Sequence, residues 1–303
     1  MIDLPLARFT VDRLAELRTD PQWFKNAWAA DNTRVLVLHD RNIPVTDELS
    51  IVWVKPWSLK MSHSAAEQVA LFLGADSDHT YIAIMEDEVG LTDVNWASLR
   101  DVGAALSAKD VGLATAAVAL AAWHEGHQFC PKCGAQTDVA LAGWSRKCKV
   151  HDSEHYPRTE PAMIVAVEDP AGRILLGRRR EWPEGWLSTL AGFVEAGESC
   201  EAAVIREVYE ESGIHVDLQS LKYMGSQPWP FPASLMLAYR AVATSTEVEM
   251  HDEEMTEVQW FSKDELSAAC IAQTLKLPSP VSIAFRLIQS WYGEDIPIQW
   301  CRS

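Results

Sequence analysis

The tightest constraint on this chain lies between residues 130 and 151, where Cys130-Pro-Lys-Cys133-Gly134 is followed by Lys147-Cys148-Lys-Val-His151. Two thiolates separated by two residues fit the bend of a metal knuckle, and Gly134 permits the positive φ that lets backbone amides point at sulfur. Cys148 and His151 repeat that spacing. Together Cys130, Cys133, Cys148 and His151 form a closed tetrahedral set with no vacant position for substrate, so one zinc ion per subunit held there is structural. His155 or His127 could complete the site instead of His151, and a metal-free knuckle is the remaining alternative. A lobe this short barely folds without its metal.

Six cysteines, three of them within this stretch, are too few and too clustered for a disulfide framework. Against 26 Lys plus Arg stand 43 Asp plus Glu, a net charge of -17, which argues against broad electrostatic capture of DNA or RNA. An acidic chain that handles a small polyanion needs cations to bring the two together. No window is apolar enough to span a bilayer, and the N-terminus lacks the pattern of a secretory signal, so a cytoplasmic protein with no membrane partner is expected.

Length and composition shifts suggest three parts: 1–126, 127–158 and 159–303. In the first, short apolar runs such as Arg34-Val-Leu-Val-Leu-His and Thr80-Tyr-Ile-Ala-Ile-Met precede an Ala-rich helix through Ala114 to Trp123. This reads as an α+β accessory lobe with a scaffold or dimerisation role. His124 and His127 have metal-ligand spacing but read equally as a solvated helix end. After the knuckle, Pro161-Ala-Met-Ile-Val-Ala-Val-Glu reads as a buried strand. Asp169 to Gly172 turns into Arg173-Ile-Leu-Leu-Gly, and a third strand runs from Trp186 through Ala191 into Gly192.

From Gly192 to Ile214 the chain reads GFVEAGESCEAAVIREVYEESGI. Ala202, Ile205 and Val208 recur at helical spacing and define an apolar face, and Gly213 ends the helix. Glu207, Glu210 and Glu211 project from one side of it. Three carboxylates that repel one another make sense where hard, oxygen-preferring cations sit on that face, although a solvated acidic face is the bland alternative. Downstream, Ser226-Gln-Pro-Trp-Pro-Phe-Pro-Ala-Ser234 reads as a proline-stiffened loop that presents Trp229 and Phe231.

The cassette, with Gly192, Glu198, Arg206-Glu207-Val208, Glu210-Glu211 and Gly213-Ile214 at the defined positions, resembles the Nudix box. The resemblance implies a Nudix α/β/α sandwich, preceded by the zinc ribbon and the α+β lobe, that hydrolyses a nucleoside diphosphate linked to another moiety. It implies that Glu207 and Glu211 bind Mg²⁺ or Mn²⁺ directly, that Glu210 is a ligand or supports one, and that Glu211 is a candidate base. Glu198 and Arg206 are expected to form a buried pair apart from the ligand cluster.

The ribbon ahead of the box and SQPWPFPxS behind it are similar to the NADH pyrophosphatase branch. That resemblance implies cleavage of NAD(H) to NMN or NMNH and AMP, and removal of NAD caps from RNA. It implies substrate contacts at Tyr156, Ala191, Phe193, Gln227, Pro228, Trp229, Pro230, Phe231, Pro232, Ala233, Ser234 and Ala284. It also implies a further metal-binding or basic carboxylate at Glu254, and a homodimer in which Tyr156 serves the neighbouring site. The branch often carries Cys where this chain has His151, and imidazole substitutes well. Two alternatives stand beside it: a broader dinucleotide or ADP-ribose diphosphatase, and an interaction module built on an inactive Nudix domain.

Overall fold

A computed structural model of the chain describes residues 2–302 apart from 21, 68, 86–90, 92–93 and 252, and only the backbone at 63 and 64. The chain divides into two compact units, one formed by residues 6–159 with 230–233 and the other by 1–5, 160–229 and 234–303. Among the described residues no helix is long and apolar enough to cross a membrane.

The N-terminal unit opens with α1 (Trp23–Ala29), β1 (Thr33–Leu38) and β2 (Ile43–Val45), followed by α2 (His63–Glu67), β3 (Ala70–Ala75), β4 (Thr80–Met85) and β5 (Asn95–Ala97). β1 and β4 are parallel neighbours and β3 lies antiparallel on the other side of β4. Their near-continuous apolar runs are explained by burial on both faces. Val35, Val37, Ile82 and Ile84 pack with Phe24 and Ala27 of α1. α3 (Leu99–Val102) leads into α4 (Ala108–Gly126), whose start is capped by Ser107 accepting from the Asp110 N–H.

The knuckle follows as a three-stranded sheet of β6 (Thr137–Ala140), β7 (Ser145–Cys148) and β8 (Glu154–His155). Its turn is fastened to the lobe before it. The Trp144 indole N–H donates to the Phe72 carbonyl at 2.6 Å, and the Arg18 guanidinium lies 3.8 Å from the Trp144 ring centroid. Gly143, at φ +91°, lets the turn come so close that an added Cβ would sit 2.7 Å from the Ala70 oxygen.

The solvated helix end considered for His124 is not what forms. His124 is buried, with Nε2 donating to the Gly143 carbonyl at 2.8 Å and Nδ1 accepting from Arg146 at 2.9 Å. Burial, against the Gly143 hydrogen bond, pushes its pKa down to about 4, so the ring is neutral at pH 7.

In the C-terminal unit come β9 (Glu160–Glu168), β10 (Ile174–Arg179), β11 (Leu190–Phe193), α5 (Cys200–Ser212), β12 (Lys222–Trp229), β13 (Ser234–Val242), β14 (Met255–Phe261), α6 (Lys263–Ile271) and α7 (Ile283–Tyr292). The mixed sheet runs β12-β13-β9-β10-β14, with β11 also on β9 and β13 parallel to β9. One apolar cluster joins Val204 and Val208 of α5 to Met163, Val165 and Val167 of β9.

Three local expectations change. The third strand starts at Leu190, because before it Trp186 and Ser188 make only isolated bridges, to Lys276 and Gly177. The buried face of α5 runs through Ala203, Val204, Val208 and Glu211, whereas Ala202 is exposed and Ile205 only partly buried. Ser226–Trp229 is strand rather than loop, with Trp229 opposite Ser234 and Pro228 opposite Leu235. Proline is tolerated there because β12 is an edge strand, so its missing N–H breaks no ladder on the outer side.

Candidate active site and metal knuckle

Ser199 starts α5 by accepting from the Ala202 N–H, and Gly213 ends it at φ 69°, donating to the Tyr209 carbonyl. Between these caps Glu207, Glu210 and Glu211 are held by two guanidinium groups. Arg206 reaches Glu198 at 2.8 Å, Glu207 at 2.9 Å, Glu210 at 3.0 Å and the Phe193 carbonyl at 2.9 Å. The expected separation of Arg206 from the cluster is therefore wrong, because its planar fork spans both sides. The hydrogen bond from Arg206 holds the Glu198 carboxyl below its ordinary range. Burial raises that of Glu207 despite the same guanidinium.

Arg179, at the end of β10, is a residue the sequence reading passed over. Its Nη2 donates to the Ala191 carbonyl at 2.7 Å and lies 3.7 Å from Glu211 Oε1 and 4.0 Å from Glu254 Oε2. Glu211 is only 2% exposed, whereas the Glu254 side chain is largely open to solvent. One guanidinium thus stands between a buried carboxylate on the helix and an exposed one at the start of β14. Three consecutive arginines, 178 to 180, in so acidic a chain were the available signal.

The donor set is all carboxylate oxygen, which suits hard divalent cations. Gly192 provides the cradle: an added Cβ would lie 1.9 Å from the Glu207 carboxyl carbon. These residues fit such an ion, with Arg179 and Arg206 already marking where positive charge is stabilised.

Ala191 and Phe193 sit beside this cluster on β11, and the Phe193 ring is more than half exposed. Gln227 is fully buried and its amide donates to the Val281 carbonyl at 3.0 Å, which fixes β12 to the segment before α7. Ala284 is in the first turn of α7, and its N–H donates to the capping Ser282 hydroxyl. Pro230, Phe231, Pro232 and Ala233, the tip between β12 and β13, group with the N-terminal unit, where the Arg100 guanidinium lies 4.2 Å from the Phe231 ring centroid. Tyr156 belongs to that unit as well, exposed, with its hydroxyl donating to Glu154.

Among the described residues, one group brings metal-binding atoms together: Cys130, Cys133, Cys148 and His151, all within 4.8 Å of one another. The Cys133 and Cys148 sulfurs are 3.7 Å apart, as are the Cys148 sulfur and His151 Nδ1. A tetrahedron with zinc–sulfur bonds of about 2.3 Å has edges of about 3.8 Å, so the spacing fits zinc. The His151 and Val150 amides lower the Cys148 thiol pKa, and the latter donates to its sulfur at 3.4 Å. His127 is instead engaged with the Trp123 carbonyl and ring.

The NUDIX domain family matches residues 158–279 and the NADH pyrophosphatase zinc ribbon domain matches residues 126–156. The NAD-capped RNA hydrolase NudC of Mycobacterium bovis is 43% identical over 202 residues, 64% of this chain and 64% of that protein. The human NAD-capped RNA hydrolase NUDT12 is 37% identical over 198 residues, 61% of this chain and 42% of that protein. The match thus spans somewhat under two thirds of the mycobacterial relative. A NUDIX hydrolase of known structure from Nitrosomonas europaea superposes with a TM-score of 0.38 at 22% identity, over 46% of this chain and 79% of that one.

Proposed function

Because the chain carries a NUDIX domain directly behind an NADH pyrophosphatase zinc ribbon, we propose that it hydrolyses the diphosphate bond of NAD(H) to NMN or NMNH and AMP, and removes NAD caps from RNA 5′ ends. The observation that carries the reading is the intact carboxylate set on α5, with Glu254 across Arg179 from Glu211. Mg²⁺ or Mn²⁺ bound there would neutralise charge on the phosphates and lower the pKa of a bound water, so that it could give up a proton and attack one phosphorus.

Glu207, Glu210, Glu211 and Glu254 hold these cations. Glu211, nearly dry, is also proposed as the base that takes the proton of the attacking water. Arg206 orders Glu207 and Glu210 from the side of Glu198, so the helix face is set before substrate arrives. The exposed Phe193 ring offers a face for a nicotinamide or adenine base. Ala191, Gln227 to Ser234, Ala284 and Tyr156 complete the proposed substrate contacts, with Gln227 acting through the position of β12. The knuckle holds one structural zinc per subunit. A homodimer belongs to the same reading and rests on the resemblance, and a cytoplasmic location is proposed with it.

Incubation of the protein with NADH and Mn²⁺ or Mg²⁺, with and without EDTA, and identification of the products by mass tests this. NMNH plus AMP formed only with metal is the expected result. Consumption of ADP-ribose or another dinucleotide with NADH untouched would retire the substrate while keeping the chemistry.

A further inference from the structure

The segment from Thr244 to Glu254 connects β13 to β14 and carries Glu254 at its end. It is fastened along the C-terminal turn of α5, the helix that bears the other three carboxylates. The Glu249 N–H donates to the Ser212 carbonyl at 2.9 Å and the His251 N–H to the Glu210 carbonyl at 3.1 Å. Those are carbonyls that a helix end leaves without internal partners. The Thr244 N–H donates to the His215 carbonyl at 2.7 Å, and the Ser245 hydroxyl accepts from the His215 N–H at 2.9 Å. Gly213 admits the segment so closely that a Cβ there would meet the Glu249 oxygen at 2.6 Å. The Tyr209 ring packs against two imidazoles, stacked with His215 at 5.0 Å and 27° and tilted against His251 at 4.9 Å and 31°.

From this arrangement we infer that Tyr209 is a positioning residue for Glu254, acting through ring contacts with His215 and His251 that clamp the Glu254 segment onto the carboxylate helix. The inference rests on the proposed role of Glu254 as a metal ligand. Tyr209 occupies the unspecified position between Val208 and Glu210, so it faces away from the buried stripe and is two-fifths exposed. Its ring is therefore available to a neighbour rather than spent in the core. His251 precedes Glu254 by three residues, and the far end is tied where the Arg180 N–H donates to the Glu254 carbonyl at 2.8 Å. Loss of the Tyr209 ring removes the side-chain contact that holds His251, three residues before Glu254, against α5 and leaves only the backbone bond to the Glu210 carbonyl. These contacts need the ring and not the phenol oxygen, so phenylalanine should serve.

The test is a double-mutant cycle read by Mn²⁺ titration, followed by electron paramagnetic resonance, on the full chain without substrate. Tyr209→Ala and His251→Ala should each weaken Mn²⁺ binding by on the order of tenfold, the range seen when groups that orient metal ligands are removed. Tyr209→Phe should bind as the unaltered protein does. Adding Tyr209→Ala to Glu254→Gln should cost nothing beyond Glu254→Gln alone. Additive losses, an unrescued Tyr209→Phe, or a Glu254→Gln variant with unaltered Mn²⁺ affinity would each overturn the inference. Because the readout is ion binding, a protein inert toward NADH would sink the proposed substrate and leave this test intact.

Discussion

Replacing Gly192 by alanine should separate the site from the fold. Gly192 lies in β11 with backbone angles that an L-residue adopts, so the strand itself should accept a methyl group. What stands in the way is the Glu207 carboxyl group, whose carbon would be 1.9 Å from the new Cβ and whose oxygens would be 2.0 and 2.2 Å away. Ordinary contact begins at 3.4 Å, so the carboxylate must retreat by about 1.5 Å. It can do so by rotating its side chain, away from the place where it meets Arg206. A shift of about 1 Å at a reacting group costs on the order of a hundredfold in rate, while a glycine-to-alanine change at a compatible backbone position alters stability by only about 1 kcal/mol. Metal-dependent NADH turnover and the urea midpoint should be measured on the same preparation. A folded variant whose turnover stays within about threefold of the original would refute the idea that Glu207 must be cradled against that glycine.

Arg206→Met leaves three carboxylates facing one another and should destabilise the protein by about 3 kcal/mol in urea, with partial recovery when Mn²⁺ is added. Glu198, whose pKa is lowered by Arg206, contributes stability at neutral pH that is lost as pH falls below the ordinary value of 4.5. That acid limb should shrink in the Arg206 variant, and an unchanged limb would count against the pair. His124, depressed to about 4 from 6.5, binds fewer protons folded than unfolded between those values, so stability should fall as pH drops through that window. Its replacement by glutamine should flatten the slope there, as read by thermal melts across pH. Cys148→Ser should reduce zinc from one ion per chain to near none by metal analysis of the purified protein; full occupancy would remove Cys148 from the ligand set.

Much of the site was legible because its spacing is local. Glu207, Glu210 and Glu211 share a helix side by geometry alone, and Cys130, Cys133, Cys148 and His151 declare a knuckle through repeated spacing. Contacts across distant segments carried no such mark. Arg179 meets Glu211 and Glu254 from a strand of its own, and nothing in the letters ties 179 to 254. The stiffened stretch at 226–229 read as a loop because its prolines argue against a strand, and only its place at a sheet edge removes that objection. The buried stripe of α5 was set one step off because Glu211 counts as polar by type yet is among the driest groups in the helix.

The turn at Gly143 and Trp144 belongs at once to the knuckle and to the sheet before it, through the Phe72 carbonyl, the Arg18 face and the buried His124. An ion at the knuckle therefore acts as a rivet for a β-strand it never touches. Stripping it should do more than loosen a small appendage: amide hydrogen exchange along Ala70 to Ala75 should quicken together with that of the knuckle strands, as one cooperative opening. A protein joined in this way would register the loss of that ion deep within its N-terminal unit, in a strand that supplies none of the ligands.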